Sequence, residues 1–488
     1  MTRFRTTVVA LVGGALLLGP GATAQDEETE AVTSAPDEVA GMPTPDLDEE
    51  QRYIVTFQEG SSAAQSARGR GQALARVARE TGVRIDALRA MSPAVQVIEA
   101  EPGLTEQGAR RLVRALESRP DVEHVDRDIR LTAAWTPNDP DYRTQWHYQN
   151  TTGGIRLPQA WDNTRGEGVM VSVLDSGLTS HPDLDGNVVA GYDFVDANLS
   201  RDGDGWDPNP RDEGDWCEAP SSWHGTHVAG TVAAVTDNGT GVAGVAPRAG
   251  LQPVRVLGAC GGYLSDIAAA VRWAAGAQVN GAPTNTTPAD VINMSLGGSS
   301  DSCPPAMQAA IDVAVGRGAT VVVAAGNDGT EASTSVPANC ANVVTVAAST
   351  SSGSRAGFSN YGRVVDVTAP GSSILSTSNT GSTVPAQPGY AWMGGTSMAA
   401  PHVAGLAALM LQLDPSLTPA QVEGHLKAGA RVMPGSCTGG CGAGLVDAQA
   451  TVGRLLAGTP DPEVGYDGDG YGDVLMRRSN GDLMMFSG

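Results

Sequence analysis

A serine hydroxyl is a weak nucleophile until a base takes its proton. An imidazole can be that base, provided an acid holds its tautomer and stabilises its cation. Four segments of the sequence could supply these parts. Val173-Leu174-Asp175-Ser176-Gly177 sets an acid after an apolar run. His224-Gly225-Thr226-His227-Val228-Ala229-Gly230 offers the base. Ala324-Ala325-Gly326-Asn327 ends on an amide. Gly394-Gly395-Thr396-Ser397-Met398-Ala399-Ala400-Pro401-His402 carries the serine at an expected helix start. Free N–H groups and the positive end of the helix dipole favour a developing oxyanion there, and Asn327 could donate to the same oxygen. The chemistry would be acyl transfer. Singly, each segment has a plainer reading: a turn aspartate, a packed histidine, a loop, a helix cap. Their joint occurrence in the order Asp, His, Asn, Ser is what chance explains poorly.

Such groups must be held by a frame. From Trp135 onward, strand-like apolar runs occur at 169–174, 251–257, 291–294, 320–325 and 343–346. Helical spacing lies between and after them, at 226–235, 264–278, 304–317, 397–413 and 418–428. Continuous apolar strands alternating with helices predict an α/β domain with a mostly parallel sheet covered on both faces. Sites in such sheets lie beyond the carboxyl ends of the strands. Three of the four motifs fall at predicted strand ends or just after them, and the fourth opens a helix. Upstream, 52–57, 95–98 and 122–125 read as strands, and 70–81 and 105–118 as helices with Leu112, Val113 and Leu116 on one face. That order predicts a small separate α+β domain.

Together the four motifs resemble the signatures of the subtilisin-like serine peptidases, the subtilases, whose triad runs Asp, His, Ser along the chain. The resemblance spans about residues 135–456. It implies a subtilisin-like three-layer domain and a secreted serine endopeptidase. Asp175, His224 and Ser397 would be the triad, and Asn327 with the Ser397 N–H the oxyanion donors. His227 and His402 would serve packing. Substrate would pair in extended form between Val256-Leu257-Gly258 and Ser295-Leu296-Gly297-Gly298. Ala324-Ala325-Gly326 would line the pocket for the side chain before the cut bond. No acid stands in these stretches, so a broad, mostly apolar preference is expected.

The 52–130 region resembles the propeptide that assists folding of subtilases and inhibits them until it is cut, here between about Arg130 and Trp135. Trp135-Thr136-Pro137-Asn138-Asp139-Pro140 resembles the mature start of thermitase-like members. The stretch from Val235 to Val242 resembles their calcium loop. It implies a structural calcium held by the side chains of Asp139, Asp183 and Asn238 and the carbonyls of Val235, Thr240 and Val242, an all-oxygen set. Asp202-Gly203-Asp204-Gly205-Trp206-Asp207 alternates like a second calcium loop and reads equally as an acidic surface loop. Gly465 to Leu475 resembles the start of one integrin-type (FG-GAP-like) propeller repeat, which cannot close a propeller alone.

Composition narrows the rest. Arg3 and Arg5, the apolar Val8–Leu18 and Ala22-Thr23-Ala24 have the form of a secretory signal. The expected layout is signal 1–24, acidic spacer 25–50, propeptide domain 51–133, peptidase domain 134–457, and linker with partial repeat 458–488. A net charge of −23 argues against nucleic acid or an anionic membrane as partner, and no stretch has the length of a membrane span. Proteins or peptides as substrates and a monomeric enzyme are expected. Six cysteines in an exported chain predict disulfides. Of the 15 possible pairings, nearest neighbours close the shortest loops: Cys217–Cys260, Cys303–Cys340 and Cys437–Cys441. A catalytically silent binding module and a narrow processing protease are the rival functions.

Overall fold

The computed structural model describes residues 51–101, 104–128, 135–457, 474–477 and 483–486. The signal-like stretch, the acidic spacer, the expected cut after Arg130 and all but the last two residues of the repeat-like stretch 465–475 lie outside the described residues. Those described form two compact units, one before and one after residue 131.

In the first unit, β1 (Arg52–Phe57), α1 (Ala67–Thr81), β2 (Ile85–Ser92), β3 (Val95–Ala100), α2 (Glu106–Glu117) and β4 (Val122–Arg127) follow one another. The strands form a sheet in the order β2-β3-β1-β4, with all three pairings antiparallel. Both helices start on a side-chain cap: Ser66 accepts from Gly69 N–H and Thr105 from Gly108 N–H. Alternation along β1 buries Tyr53, Val55 and Phe57 against Leu74, Val77, Leu112 and Leu116. β2 was not expected. Its sequence neither alternates nor runs apolar, most of it is exposed, and only its pairing with β3 makes it a strand.

The second unit is a three-layer α/β domain. Its sheet uses β5 (Met170–Asp175), β6 (Tyr192–Asp193), β7 (Gly250–Arg255), β8 (Val291–Met294), β10 (Thr320–Ala324), β12 (Val344–Ser349) and β13 (Val367–Pro370). The order is β13-β12-β10-β8-β5-β7-β6, and every pairing is parallel. Strands added after β5 go to one side (β7) and then the other (β8), so the winding reverses at β5. That reversal opens a crevice beyond its carboxyl end. Three two-stranded pairs are separate from the sheet: β9 (Gly298–Ser299) with β11 (Ser335–Val336), β14 (Ile374–Asn379) with β15 (Pro388–Met393), and β16 (Val474–Arg477) with β17 (Leu483–Phe486).

Helices α3 (His224–Ala233), α6 (Thr396–Leu413), α7 (Pro419–Gly429) and α8 (Ala448–Leu456) contribute to the core on one face of the sheet. Helices α4 (Leu264–Ala274) and α5 (Pro305–Gly316) cover the other. α6 is the central helix. Leu406, Leu409 and Met410 on it are fully buried, each contributing about 1.5–3 kcal/mol by removal from water. It is the one helix among the described residues long and apolar enough to cross a bilayer, and 83% of that stretch is buried within the protein. Disulfides join Cys217 to Cys260, Cys303 to Cys340 and Cys437 to Cys441.

Candidate active site

Asp175 is the last residue of β5, at the reversal of the sheet. Its carbonyl accepts the N–H groups of Val256 (2.8 Å) and Leu257 (3.1 Å), which continue β7. Its carboxylate is buried; Oδ1 accepts from Ser176 N–H at 2.8 Å and from His224 Nδ1–H at 2.7 Å. This fixes the proton of a neutral imidazole on Nδ1 and leaves Nε2 as the base. Burial works against a charge on His224, but Asp175, with Asp215 and Asp212 behind it, outweighs that and raises its pKa above the ordinary value.

His224 opens a helix rather than following a strand, so two motifs sit at strand ends and two at helix starts. The residue before it, Trp223, is left-handed at φ 54°, a conformation an indole side chain rarely adopts. Its indole N–H donates to the Gly381 carbonyl at 2.7 Å, between β14 and β15. Behind the pair, the Ser176 hydroxyl accepts from Gly225 N–H (3.0 Å) and donates to Asp212 (2.7 Å). Burial pushes the Asp212 carboxyl up to about 7. Sequence reasoning named neither Trp223 nor Asp212, since nothing in the motif marks them.

Ser397 is the second residue of α6. Pro401, one turn on, has no N–H to give the Ser397 carbonyl. The hydroxyl of Ser295 takes that place at 2.8 Å, and is itself held by Asn293 Nδ2 at 2.9 Å. Asn327 follows β10 by three residues. Its Oδ1 accepts from Thr396 N–H (2.8 Å) and the Thr396 hydroxyl (3.0 Å), which turns its NH₂ the other way. A β-carbon built on Gly395 would lie 3.6 Å from both Asn327 Nδ2 and Ser397 N. The Asn327 side chain and the Ser397 N–H therefore border the same small space beside Gly395, where two donors could meet one oxygen.

The candidate substrate edges fare differently. Leu296 is half-buried and Gly297 and Gly298 are exposed, while Ala324 is buried and Gly326 half-buried. The Val256–Gly258 edge is corrected. Val256 and Leu257 N–H are bound to Asp175, and Gly258 exchanges hydrogen bonds with Gly261 (2.8 and 3.2 Å). These main-chain groups are already paired, and the exposed residues beyond this tight turn are Gly262 and Tyr263.

The candidate calcium residues are brought together. Asp139 and Asp183 are both buried. Asp139 accepts Asp237 N–H at 2.8 Å, and Asp183 accepts Val242 N–H at 2.9 Å and Asn238 Nδ2 at 2.8 Å. Burial raises both carboxyls, Asp183 to about 6 with the Asp139 charge adding to it. Two buried acids from separate segments, both bonded to the 235–242 loop, fit a hard cation. Asn238 Oδ1 bonds Thr240 N–H at 2.7 Å, so its amide would have to turn to ligate. The carboxylates of Asp202, Asp204 and Asp207 also converge, with Arg255 on Asp202 at 3.1 Å.

His227 and His402 do more than pack. His227 Nε2 bonds the carbonyls of Ile374 and Ala391 (3.1 and 3.0 Å). His402 Nδ1–H donates to Met398 O at 2.8 Å, so its Nε2 accepts from His147 Nδ1–H at 2.7 Å. Burial lowers the pKa of His227 and His402 to about 4 and holds that of His147 well below its ordinary value.

The sequence profile described as "Subtilase family" matches residues 166–449. An "Extracellular protease" of Xanthomonas campestris is 50% identical over 426 residues, 84% of this chain and 73% of that protein. Thermitase of Thermoactinomyces vulgaris is 40% identical over 279 residues, 57% of this chain and 85% of that one. A solved structure of a protease from Pseudoalteromonas arctica superposes with a TM-score of 0.65 at 50% identity, over 66% of this chain and 99% of its own.

Proposed function

The chain belongs to the subtilase family and is a serine endopeptidase, and from that premise we propose that it works through Ser397, His224, Asp175 and Asn327. Ser397 attacks the peptide carbonyl while His224 Nε2 takes its proton. The oxyanion is held by Asn327 Nδ2 and Ser397 N–H, and His224 then protonates the leaving amine. Water, activated by the same base, releases the acyl group from Ser397. The observation that carries this reading is the His224 Nδ1–H bond to buried Asp175 at 2.7 Å, combined with two donors converging beside Gly395.

The enzyme is exported, made as a zymogen, and matures by cutting itself near residues 130–135. The 51–133 domain acts as folding aid and inhibitor, and 134–457 is the peptidase. Its relatives' names, the signal-like start and three disulfides support export. Specificity is broad and mostly apolar, with peptide laid along Ser295–Gly298 and the side chain before the cut bond against Ala324 and Gly326. A calcium ion held by Asp139, Asp183, Asn238 and the carbonyls of Val235, Thr240 and Val242 would lock the 235–242 loop. The test compares wild type with Ser397→Ala on a gel and on casein. Wild type shortening to a form that starts near Ala133 and digests casein, with the variant long and inert, supports the reading. Both maturing with neither digesting casein refutes it.

A further inference from the structure

We propose that Asn360 is a positioning residue that holds the main chain on both sides of Asn327, and so aims the oxyanion donor; this rests on the role assigned to Asn327 above. Asn360 is fully buried and stands outside all four catalytic motifs. Its side chain is committed to one loop. Oδ1 accepts from Asp328 N–H at 2.9 Å and Thr330 N–H at 3.0 Å. Nδ2 donates to the Ala325 carbonyl at 3.1 Å and the Ser335 hydroxyl at 3.0 Å. Its own N–H donates to the Gly326 carbonyl at 2.9 Å. Two of these contacts precede Asn327 and three follow it.

The orientation of the amide is determined by its partners. Oδ1 meets two backbone donors and Nδ2 meets a carbonyl, so the flipped amide would lose these contacts. Between Ala325, whose N–H still bonds the Val346 carbonyl at 3.0 Å, and Gly329, whose N–H bonds the Phe358 carbonyl at 2.8 Å, the chain is neither helix nor strand, so strand pairing holds only the two ends of the stretch around Asn327. A side chain from outside takes over that task. Gly326 lies at φ +104°, and a β-carbon there would stand 2.3 Å from Asn360 Nδ2, so the loop packs directly on the amide. Thr396 grips the Asn327 side chain from the other direction. Asn327 is thus fixed from two sides: Thr396 holds its amide and, through a 3.1 Å bond from Gly326 N–H, the residue before it, while Asn360 holds the main chain on both sides.

The test is a double-mutant cycle on the full chain after maturation. Asn360→Ala and Asn360→Asp are made alone and with Asn327→Ala. kcat and KM are measured on a chromogenic peptide, and active sites are counted with a serine-directed covalent inhibitor. A donor displaced by about 1 Å loses about 10²-fold in rate, so Asn360→Ala should lower kcat by that order with a much smaller change in KM. Asn360→Asp keeps the acceptor half and should recover part of the loss. It also serves as the cycle's partner if the alanine variant does not fold. With Asn327 already alanine, the same change should cost less than about 3-fold. Equal losses in both backgrounds, or a kcat for Asn360→Ala within about twofold of wild type, overturn the inference. An Asn327→Ala enzyme of undiminished kcat overturns the oxyanion assignment, and this inference with it.

Discussion

Replacing Ser295 by alanine would remove the one hydroxyl that compensates for Pro401. The Ser397 carbonyl would then lack both its helical partner, which proline cannot supply, and the 2.8 Å bond from Ser295. An acceptor left unpaired costs about 1–3 kcal/mol when buried, and at this part-buried position that range is an upper bound. In a unit of this size that is roughly 1.5–4.5 °C in melting temperature. The cost falls on the first turn of α6, so part of it should appear as displacement of Ser397, where a shift of about 1 Å lowers the rate about 10²-fold. Melting is followed in a Ser397→Ala background to suppress self-digestion, and kcat and KM are taken from the active enzyme. Ser295→Thr keeps the hydroxyl and should stay close to wild type. A Ser295→Ala protein that melts within about 1 °C of its parent with unchanged kcat would refute the compensation.

Three further outcomes are expected. The base must be neutral to act, and the raised pKa of His224 places the acid limb of kcat/KM above pH 6.5; Asp175→Asn should move that limb to lower pH and cut kcat about 10⁴-fold, and pH–rate profiles of both enzymes check it. The unfolded chain protonates His227 and His402 near pH 6.5 but the folded one only near 4, so their stability is whole above pH 6.5 and is lost as pH falls towards 4, by about 3 kcal/mol apiece. Buried Asp183, Asp193 and Asp212, raised by burial, act in the opposite sense, so melting of His402→Gln against its parent between pH 7 and 4 isolates the histidine part. Removing calcium with a chelator should speed thermal inactivation in wild type, since an ion at 100 times its dissociation constant contributes about 2.7 kcal/mol; Asp183→Asn should inactivate at one rate with or without chelator.

What could be read from the sequence was what chemistry or burial writes locally. Val291–Met294 and Thr320–Ala324 are fully buried strands, and an unbroken apolar run says so. β14 escaped notice although all six of its residues are buried. Its sequence, ILSTSN, buries Ser and Thr hydroxyls, one of which donates to the Thr226 carbonyl at 2.7 Å, and no apolar pattern marks that. Gly258 was misread because whether a main-chain N–H is already paired depends on its bridge to Gly261, which residue types do not encode. Ser295 is expected on the substrate edge, but a second task, its hydroxyl serving a carbonyl 102 residues away, is not part of that reading. The clue was present in the sequence as a proline one turn after the serine of a helix. Asn360 gives no such clue, since, apart from hydroxyls such as that of Ser335, its partners are backbone groups.

The central claim is that Ser397 is the nucleophile. Mature enzyme treated with a fluorophosphonate should gain the mass of one adduct, found by peptide mapping on Ser397, and casein hydrolysis should fall in proportion to labelling. Full casein hydrolysis after stoichiometric labelling, or an adduct on any other residue, would contradict it.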